Sequence, residues 1–310
     1  MMDGLLLIDK PKGLTSHDVV ERIRQLLKIR KVGHTGTLDP LASGLLLICL
    51  GRATKLTRFL QDLDKTYQGE MIFGMTTTSF DGQGEVVEEK NASDLSKAEV
   101  EEFFARFRGK VIQTPPMWSA VHWKGKRLYE IARDGLEVER IPRKIWIYEL
   151  KLLDFVSNHH PKVKFEIRCS KGTYVRSLCA DIGGVSGFGA YQAALCRTKV
   201  GPFDLKQAKG LKDLGEKVAN GKEEGIICSL KDSLPHLPLV KVKSGVEKIV
   251  KWGRPLYLSH LDLLPKELGK GDKVRLCSQE GELLAVAISL QEESHFCKDE
   301  IGFKYLRVLI

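Results

Sequence analysis

The chain has 310 residues, of which 43% are hydrophobic and 29% charged, and these proportions are typical of a soluble globular protein. A chain of this length holds one large domain and a small one. The formal net charge of +9 favours a polyanionic partner, because a basic surface releases the counterions condensed on phosphates. Many basic proteins bind no nucleic acid, so the charge alone does not decide the function.

The seven cysteines are scattered and form no Cys-x-x-Cys pair. This pattern argues against a disulfide framework or a structural zinc site and predicts small buried side chains in a reducing compartment. Residues 1–8 have no basic flank and too short an apolar run for a signal peptide. The longest apolar run, Leu45–Leu50, is too short to span a bilayer. We therefore expect a cytoplasmic protein that does not enter a membrane.

The first elements alternate between strands and helices. Leu5–Ile8 predicts a buried strand, and Ser16 is a suitable N-cap for a helix that begins there. A glycine-rich stretch, 33–44, leads into a second buried strand at Leu45–Leu50. A helix is expected from about Ala53 to Leu63.

The middle of the chain mixes both kinds of element without strict alternation. Tyr67–Phe73 and Val163–Cys169 have the near-alternating pattern of half-buried strands. Ser96 opens a helix through a capping box, and Thr173–Gly183 predicts a helix closed by the Gly183-Gly184 pair. This mixture indicates an α/β or α+β domain around a mixed sheet.

The pattern changes near Pro235 and Pro238. Val274–Cys277 and Leu283–Ile288 predict strands on either side of a turn, and the chain ends in a basic, β-like tail. We therefore expect a small β-rich module of roughly seventy residues, a plausible size for an appended domain. The predicted division is a first domain at 1–237 and a second at 238–310.

Motifs for common cofactor chemistries are absent from the sequence. It contains no phosphate-binding P-loop, no dinucleotide glycine motif, no His-Glu-x-x-His and no serine nucleophile elbow. The eight histidines show no metal-ligand spacing. We therefore expect neither a cofactor nor a metal.

The glycine-rich stretch 33–44 contains the polar residues His34 and Asp39. Its glycines allow a backbone to approach a ligand closely. Asp39-Pro40 is also a common turn dipeptide, so its spacing alone favours a turn-forming carboxylate. Arg176, in the first turn of a predicted helix, could face a buried carboxylate or simply be a surface cation. Tyr67, at the start of a strand, could equally be a core residue.

Several sequence blocks together closely resemble the bacterial tRNA pseudouridine-55 synthase family. They occur in the family's order and extend over nearly the whole chain, and the second one below is highly specific. The blocks are Lys10-Pro11-x-Gly13-x-Thr15-Ser16, Lys31-x-Gly33-His34-Thr35-Gly36-Thr37-Leu38-Asp39-Pro40-x-Ala42-x-Gly44, Asp64-Lys65-x-Tyr67, Pro115-Pro116-Met117-x-Ser119-Ala120, Gly125-Lys126-Arg127-Leu128-Tyr129 and Gly172-Thr173-Tyr174-x-Arg176-Ser177-Leu178. The chain departs from the family pattern at Thr78 and Cys196, outside the blocks that would carry the chemistry.

The resemblance implies a fold and a catalytic set. The fold is α+β, with a catalytic domain around a mixed, largely antiparallel sheet and a small C-terminal β-rich domain of the PUA type. Asp39 is implied as the catalytic carboxylate, and Arg176 as the cation that pairs with it. A carboxylate in this reaction could add covalently to the sugar or the base, or stabilise positive charge on the sugar, and the sequence does not choose among these.

The resemblance also implies how RNA is bound. Tyr67 would stack on the target base, while Tyr174 and Leu195 would line its pocket and His34 would contact the RNA loop. A basic insertion at about 110–135 would grip the T-arm stem-loop of tRNA. No protein partner is required by this scheme, and a monomer suits an enzyme that clamps one hairpin.

Two other functions fit parts of the same sequence. One is an RNA-binding folding factor that remodels the tRNA elbow without chemistry, a role that could also coexist with catalysis. The other is a guide-RNA-dependent pseudouridylase of ribosomal RNA, from the related archaeal and eukaryotic branch. The basic segment Pro115–Arg133 favours the stand-alone tRNA enzyme, because the related branch lacks this insertion.

Overall fold

A computed structural model describes residues 2–222, 224–291 and 301–310. The strands in chain order are β1 (Gly4–Lys10), β2 (Val32–His34), β3 (Ser43–Leu50), β4 (Lys65–Phe73), β5 (Met75–Thr77), β6 (Val86–Glu89), β7 (Gly109–Gln113), β8 (His122–Trp123), β9 (Lys126–Arg127), β10 (Arg143–Val156), β11 (Lys162–Cys169), β12 (Ala190–Val200), β13 (Phe203–Asp204), β14 (Lys209–Gly210), β15 (Ile227–Cys228), β16 (Leu239–Val242), β17 (Leu256–Tyr257), β18 (Leu261–Leu263), β19 (Lys273–Cys277), β20 (Leu283–Ser289) and β21 (Ile301–Val308).

The described part of the chain contains fewer helices than strands. The α-helices are α1 (Ser16–Leu27), α2 (Thr57–Gln61), α3 (Lys97–Arg106), α4 (Leu128–Arg133), α5 (Val175–Ser186), α6 (Leu211–Ala219) and α7 (Glu247–Lys251). Short 3₁₀ helices are found at Gly51–Leu56, Leu205–Gln207, Glu224–Ile226, Lys231–Ser233 and Leu258–His260. None of the described helices is both long and apolar enough to cross a membrane.

A large mixed sheet forms the centre of the molecule. Its main path runs β14-β1-β3-β12-β4-β11-β10-β7, and β2, β13 and β15 pair beside it. The β1–β14 and β3–β12 pairs are parallel, and the other pairs along this path are antiparallel. Helices α1, α3 and α5 supply buried side chains, among them Ile23, Phe104 and Leu178, to the core against this sheet. Apolar residues at every third or fourth position on each helix form the face that packs there.

The first helix begins differently from the sequence prediction. Thr15, not Ser16, is the N-cap: its hydroxyl accepts from Asp18 N, and the Asp18 carboxylate accepts from Thr15 N, completing a capping box. Ser16 is the first helical residue and is buried. Its side chain is thereby free to bind a distant part of the chain.

Two other helix predictions also need correction. The expected helix from Ala53 to Leu63 is a 3₁₀ helix followed by the short α2. The expected helix Thr173–Gly183 runs instead from Val175 to Ser186, and Gly187, with φ of 79°, ends it. Gly183 lies inside the helix and packs directly against Ala190 of β12, where no side chain would fit.

A second, six-stranded sheet contains the C-terminal strands, in the order β17-β21-β20-β19-β16-β18. It has its own apolar core, which includes Val240, Val274 and Leu284. A separate apolar cluster joins it to the large sheet, with Leu47 and Val286 contributed by the two sides. The predicted α+β class, with a large mixed sheet and a small β-rich C-terminal module, is confirmed.

The cysteines among the described residues are free thiols. Cys49, Cys169, Cys179 and Cys277 are buried, as the sequence predicted for small apolar side chains, while Cys196 and Cys228 are half-buried. Cys297 lies outside the described residues.

Candidate active site

The loop that carries Asp39, defined here as residues 35–44, runs from the end of β2 into the first two residues of β3 and is held by hydrogen bonds at several points. Ser16 Oγ accepts from Leu38 N at 2.8 Å and donates to Leu38 O at 3.1 Å. Gly13 N donates to Pro40 O at 2.8 Å, and Ala42 N donates to Asp39 O at 3.0 Å. Ser16 at the start of α1 and Gly13 just before it therefore fix the backbone on both sides of Asp39.

The end of this loop requires a glycine. Gly44 has a φ of +100°, and a Cβ atom there would lie 2.4 Å from Arg197 O. This close approach lets β3 begin in parallel pairing with β12, with Gly44 opposite Arg197. The Arg197 side chain then reaches back, and its Nη2 donates to Gly36 O at 3.1 Å while its Nε donates to Leu45 O at 2.7 Å. Arg197 therefore binds both ends of the Asp39 loop.

Arg176 forms a two-point contact with Asp39. Arg176 Nε lies 2.9 Å from Asp39 Oδ2, and Nη2 donates to Oδ1 at 3.1 Å. The arginine side chain is 5% exposed and the aspartate side chain 35% exposed, so the carboxylate is open on one side. A planar guanidinium matches a carboxylate in this way and fixes its orientation. The pairing expected from the sequence is present in the structure.

A second carboxylate, Asp81, lies on the other side of Arg176. Asp81 Oδ2 is 3.5 Å from Arg176 Nη1, and Asp81 Oδ1 accepts from Ser79 Oγ at 2.5 Å and from Gln83 N at 3.0 Å. No local sequence pattern marks Asp81, since a single Asp-Gly pair between two short strands is an ordinary turn signal. Only the fold brings it to the arginine.

The surroundings of Asp39 shift its pKa upward. Burial is the largest cause, and the nearby charge of Asp81 adds to it, while Arg176 and Lys10 oppose the increase. Desolvation disfavours the ionised carboxylate, and a neighbouring cation favours it. Arg176 therefore helps to keep Asp39 ionised in a site that would otherwise promote its protonation.

A cavity of about 610 Å³ opens beside Asp39 and Arg176. Tyr67, Tyr174 and Leu195 line it, as the sequence analysis expected for a base pocket. Tyr67 and Leu195 are 9% and 6% exposed, so they form its inner wall. A volume of this size lies in the range of small-molecule pockets and accommodates a flipped nucleotide base.

His34 is placed differently from the other expected site residues. It ends β2, is half-buried, and its Nδ1 accepts from Gly36 N at 3.3 Å. Burial and the nearby Arg197 lower its pKa, which favours the neutral imidazole. Its side chain is not among those that line the cavity. A role for His34 in RNA contact therefore stays a prediction.

The basic segment at 110–135 is tied directly to Arg176. Trp118 O accepts from Arg176 Nη2 at 2.8 Å, so the backbone of this segment contacts the guanidinium that holds Asp39. Further along, Lys124 Nζ lies 4.7 Å from the centre of the Trp123 ring, and Arg133 lies 5.4 Å from that of Tyr129. Exposed basic side chains beside half-buried aromatic rings suit contacts with phosphates and bases.

Among the described residues, one group of potential metal ligands is found away from this cavity. Atoms of Glu89, His159 and His160 lie within 4.8 Å of one another, a grouping that the spacing of the histidines did not predict. His160 Nε2 is already hydrogen-bonded to Glu89 Oε1 at 2.9 Å. None of these residues lines the cavity, so the group has no direct part in its chemistry.

Comparison with known proteins identifies the family. The model of the TruB family pseudouridylate synthase N-terminal domain matches residues 24–175, and that of the tRNA pseudouridylate synthase B C-terminal domain matches residues 176–237. The tRNA pseudouridine synthase B of Pelotomaculum thermopropionicum is 42% identical and covers 99% of this chain and 97% of its own. That of Bacillus subtilis is 41% identical over 92% and 93% of the two chains.

Solved structures agree with these sequence relatives. The crystal structure of a Cbf5-Nop10-Gar1 complex contains a chain with a TM-score of 0.77 and 28% identity, covering 99% of this chain and 85% of that one. An H/ACA RNP bound to a substrate RNA containing 2′-deoxyuridine gives a TM-score of 0.77 at 25% identity, with the same coverage. The resemblance seen in the sequence blocks is confirmed: this chain belongs to the TruB family of pseudouridylate synthases.

Proposed function

We propose that this enzyme converts the uridine at position 55, in the T-loop of tRNA, to pseudouridine. The observation that carries the proposal is the two-point Arg176–Asp39 pair, which holds a carboxylate open to a base-sized cavity walled by Tyr67. The relatives at 41–42% identity over nearly the full chain are named tRNA pseudouridine synthase B, which supports the choice of substrate.

The reaction requires a carboxylate beside the anomeric carbon of a flipped-out uridine. The N-glycosidic bond breaks, the uracil turns, and C5 replaces N1 on C1′. Asp39 supplies the carboxylate, either adding covalently or stabilising positive charge on the sugar. Arg176 orients Asp39 and opposes its protonation. Tyr67 stacks on the base, which keeps the detached uracil in place while it turns.

Binding of the T-arm would draw on surfaces around this cavity. The insertion at about 110–135 offers phosphate contacts, and its tie to Arg176 through Trp118 O would transmit RNA binding to the catalytic pair. Tyr174 and Leu195 would contact the base and His34 the RNA loop. We further propose that 1–237 form the catalytic domain and 238–310 a PUA-like RNA-binding domain, acting as a monomer in the cytoplasm without a protein partner.

The proposal is tested with unmodified tRNA transcript and with a bare T-arm stem-loop. Pseudouridine at position 55 is measured by mass spectrometry or by a carbodiimide-stop assay. We expect the wild type to modify both RNAs and Asp39→Asn to lose at least 10³-fold in rate, on the order seen when an essential catalytic group is removed. Asp181→Asn is the matched control, because Asp181 lies outside the cavity lining.

The same experiment separates the competing functions. If neither RNA is modified by the wild type, or if Asp39→Asn keeps full activity, the proposed function is wrong. Activity that appears only with a guide RNA and partner proteins would favour the guide-dependent branch. An additional tRNA-folding role would show as equal acceleration of tRNA refolding by the wild type and by Asp39→Asn.

A further inference from the structure

Three cationic side chains are buried around the Asp39 loop without a carboxylate partner. Lys10 is fully buried, and Lys65 and Arg197 are 8% and 2% exposed. Lys10 and Lys65 donate to main-chain oxygens, Lys65 Nζ to Gln61 O at 2.5 Å and to Leu63 O at 2.6 Å. Arg197 also donates to main-chain oxygens and in addition contacts the Tyr67 hydroxyl. Within the described part of the chain, none of the three cations forms an ion pair.

The site therefore holds an excess of buried positive charge. The acidic groups near these cations have other partners: Asp39 and Asp81 both bind Arg176, and Asp62 binds Lys171 and Lys273. Asp64 accepts from the Tyr148 hydroxyl. Lys10, Lys65 and Arg197 are therefore left without a paired carboxylate. Burying an unpaired charge carries a large desolvation cost, and a neutral donor would satisfy the same carbonyl oxygens at a lower one. Holding the backbone together does not by itself account for three charged groups.

Two of these cations flank the ring that would stack on the base. Lys65 precedes Tyr67 by two residues on β4, so both side chains point to the same face of the strand. Arg197 of β12 lies directly opposite Tyr67 in the β4–β12 ladder. Lys65, Tyr67 and Arg197 all line the cavity that Asp39 opens into, whereas Lys10 does not.

The reaction generates negative charge at this place. When the N1–C1′ bond breaks, both bonding electrons stay with the base, and the detached uracil is an anion with charge shared by N1, O2 and O4. Re-attachment through C5 uses an electron pair of this anion. The proton then lost from C5 is balanced by the proton gained at N1, so the isomerisation needs no further reactant.

We propose, on the basis of the function proposed above, that Lys65 and Arg197 stabilise the negative charge of the detached uracil and hold it against Tyr67. When the ring turns about its N3–C6 axis, O2 and O4 exchange places. The two fixed positive charges, Lys65 and Arg197, therefore stabilise the anion both before and after the ring turns. Preorganised charge in a cavity that excludes water is an effective way to stabilise a charged intermediate.

The charge on Lys65 changes at a pH only slightly above neutral. Burial, together with the nearby charge of Arg197, lowers the pKa of Lys65 to about 8, while Cys169, Asp64 and Asp62 oppose the decrease. Lys65 is therefore mostly protonated at neutral pH. It loses its proton, and with it the proposed stabilisation, as the pH rises through about 8.

The test compares Lys65→Met and Lys65→Arg in the full chain with a T-arm stem-loop. Single-turnover rates and the Kd of the RNA are measured between pH 6.5 and 9.5. We expect Lys65→Met to react about 10²-fold more slowly with an unchanged Kd, the size of effect found when one charge-stabilising donor is removed. Lys65→Arg should keep most of the rate and lose the decline above pH 8, because a guanidinium stays protonated.

Lys10→Met is the matched control, since it removes a buried cation that binds only carbonyl oxygens and does not line the cavity. Its rate should fall far less than that of Lys65→Met, and Arg197→Lys should retain more activity than Arg197→Met. An unchanged rate for folded Lys65→Met, or a decline above pH 8 that is as steep in Lys65→Arg as in the wild type, would refute the inference. Burial also lowers the pKa of Lys10 to about 8, and the pH profile of Lys10→Met measures its share of the decline. If Lys65→Met does not fold, the pH profile of Lys65→Arg decides. A wild type that forms no pseudouridine would instead refute the proposed function.

Discussion

The hydroxyl of Ser16 binds both the N–H and the carbonyl of Leu38, the residue immediately before Asp39. This pair joins the first turn of α1 to the loop that carries the candidate catalytic carboxylate. Thr15 performs the capping of the helix, so Ser16 is available for this second contact. Two neighbouring hydroxyl residues therefore have separate structural roles.

Replacing Ser16 with alanine should slow catalysis as well as weaken the fold. Ser16→Ala leaves two buried backbone groups of Leu38 without their partner, at a cost of about 1–3 kcal/mol in the free energy of unfolding. Because the loop then loses its anchor next to Asp39, we expect kcat to fall about 10-fold, on the scale of misplaced catalytic groups.

Thr15→Ala is the control for Ser16→Ala. It should cost about 1 kcal/mol of stability through loss of the N-cap, with kcat unchanged. Urea unfolding and single-turnover kinetics measure the two effects. Equal kcat values for the two variants would show that Ser16 does not position the loop.

Because Arg176 contacts Asp39 at two points, we expect that lysine cannot replace it. Arg176→Lys keeps the charge but offers one ammonium group where the guanidinium now binds both oxygens of Asp39 and also Trp118 O. We expect at least a 10²-fold lower single-turnover rate with RNA affinity within about 3-fold, since the phosphate contacts proposed for the insertion at about 110–135 would be retained. A rate close to that of the wild type would mean that the charge alone is sufficient.

The pH dependence of the rate should show the environment of Asp39. Burial raises the pKa of Asp39, and the protonated carboxyl group should be inactive. The acidic limb of the pH profile should therefore lie at a higher pH than an ordinary carboxyl group would give. Asp81 contributes to this increase, so Asp81→Asn should move the acidic limb of the profile to lower pH.

The same variant should also lower the maximal rate several-fold, because Arg176 loses one of the two carboxylates that orient it. The measurement is kcat against pH for the wild type and Asp81→Asn. Movement of the acidic limb to higher pH would contradict the assigned effect of Asp81 on Asp39.

Replacing either of two adjacent glycines of α5 with alanine should change the stability of the protein in opposite directions. A Cβ at Gly183 would lie 2.1 Å from Ala190 N, whereas one at Gly184 meets nothing within 4 Å. Gly183→Ala should therefore destabilise by about 1–3 kcal/mol through overpacking, and Gly184→Ala should stabilise by about 0.5–1 kcal/mol through helix propensity. Thermal unfolding of both variants distinguishes them, and similar melting temperatures would contradict the packing of α5 on β12.

Much of the fold could be predicted from local sequence patterns. The buried strand at Leu45–Leu50, the strands at Tyr67–Phe73 and Val163–Cys169 and the capping box at Ser96 agree with the structure within a few residues. Apolar periodicity and capping act over short distances, so they can be recognised without knowledge of the fold. Helix ends were less predictable, because packing against β12 keeps Gly183 inside α5.

The identity of the family was also determined by the sequence, since the Asp39 block and its companions are specific and occur in order. Apart from Arg176, which the resemblance already implied, only the tertiary structure decided which polar groups surround Asp39. Asp81 and Arg197 come from segments far from Asp39 in the chain, and no local pattern marks them. Contacts between distant segments depend on how strands pair and where the chain returns, and burial then sets the charge state of each group.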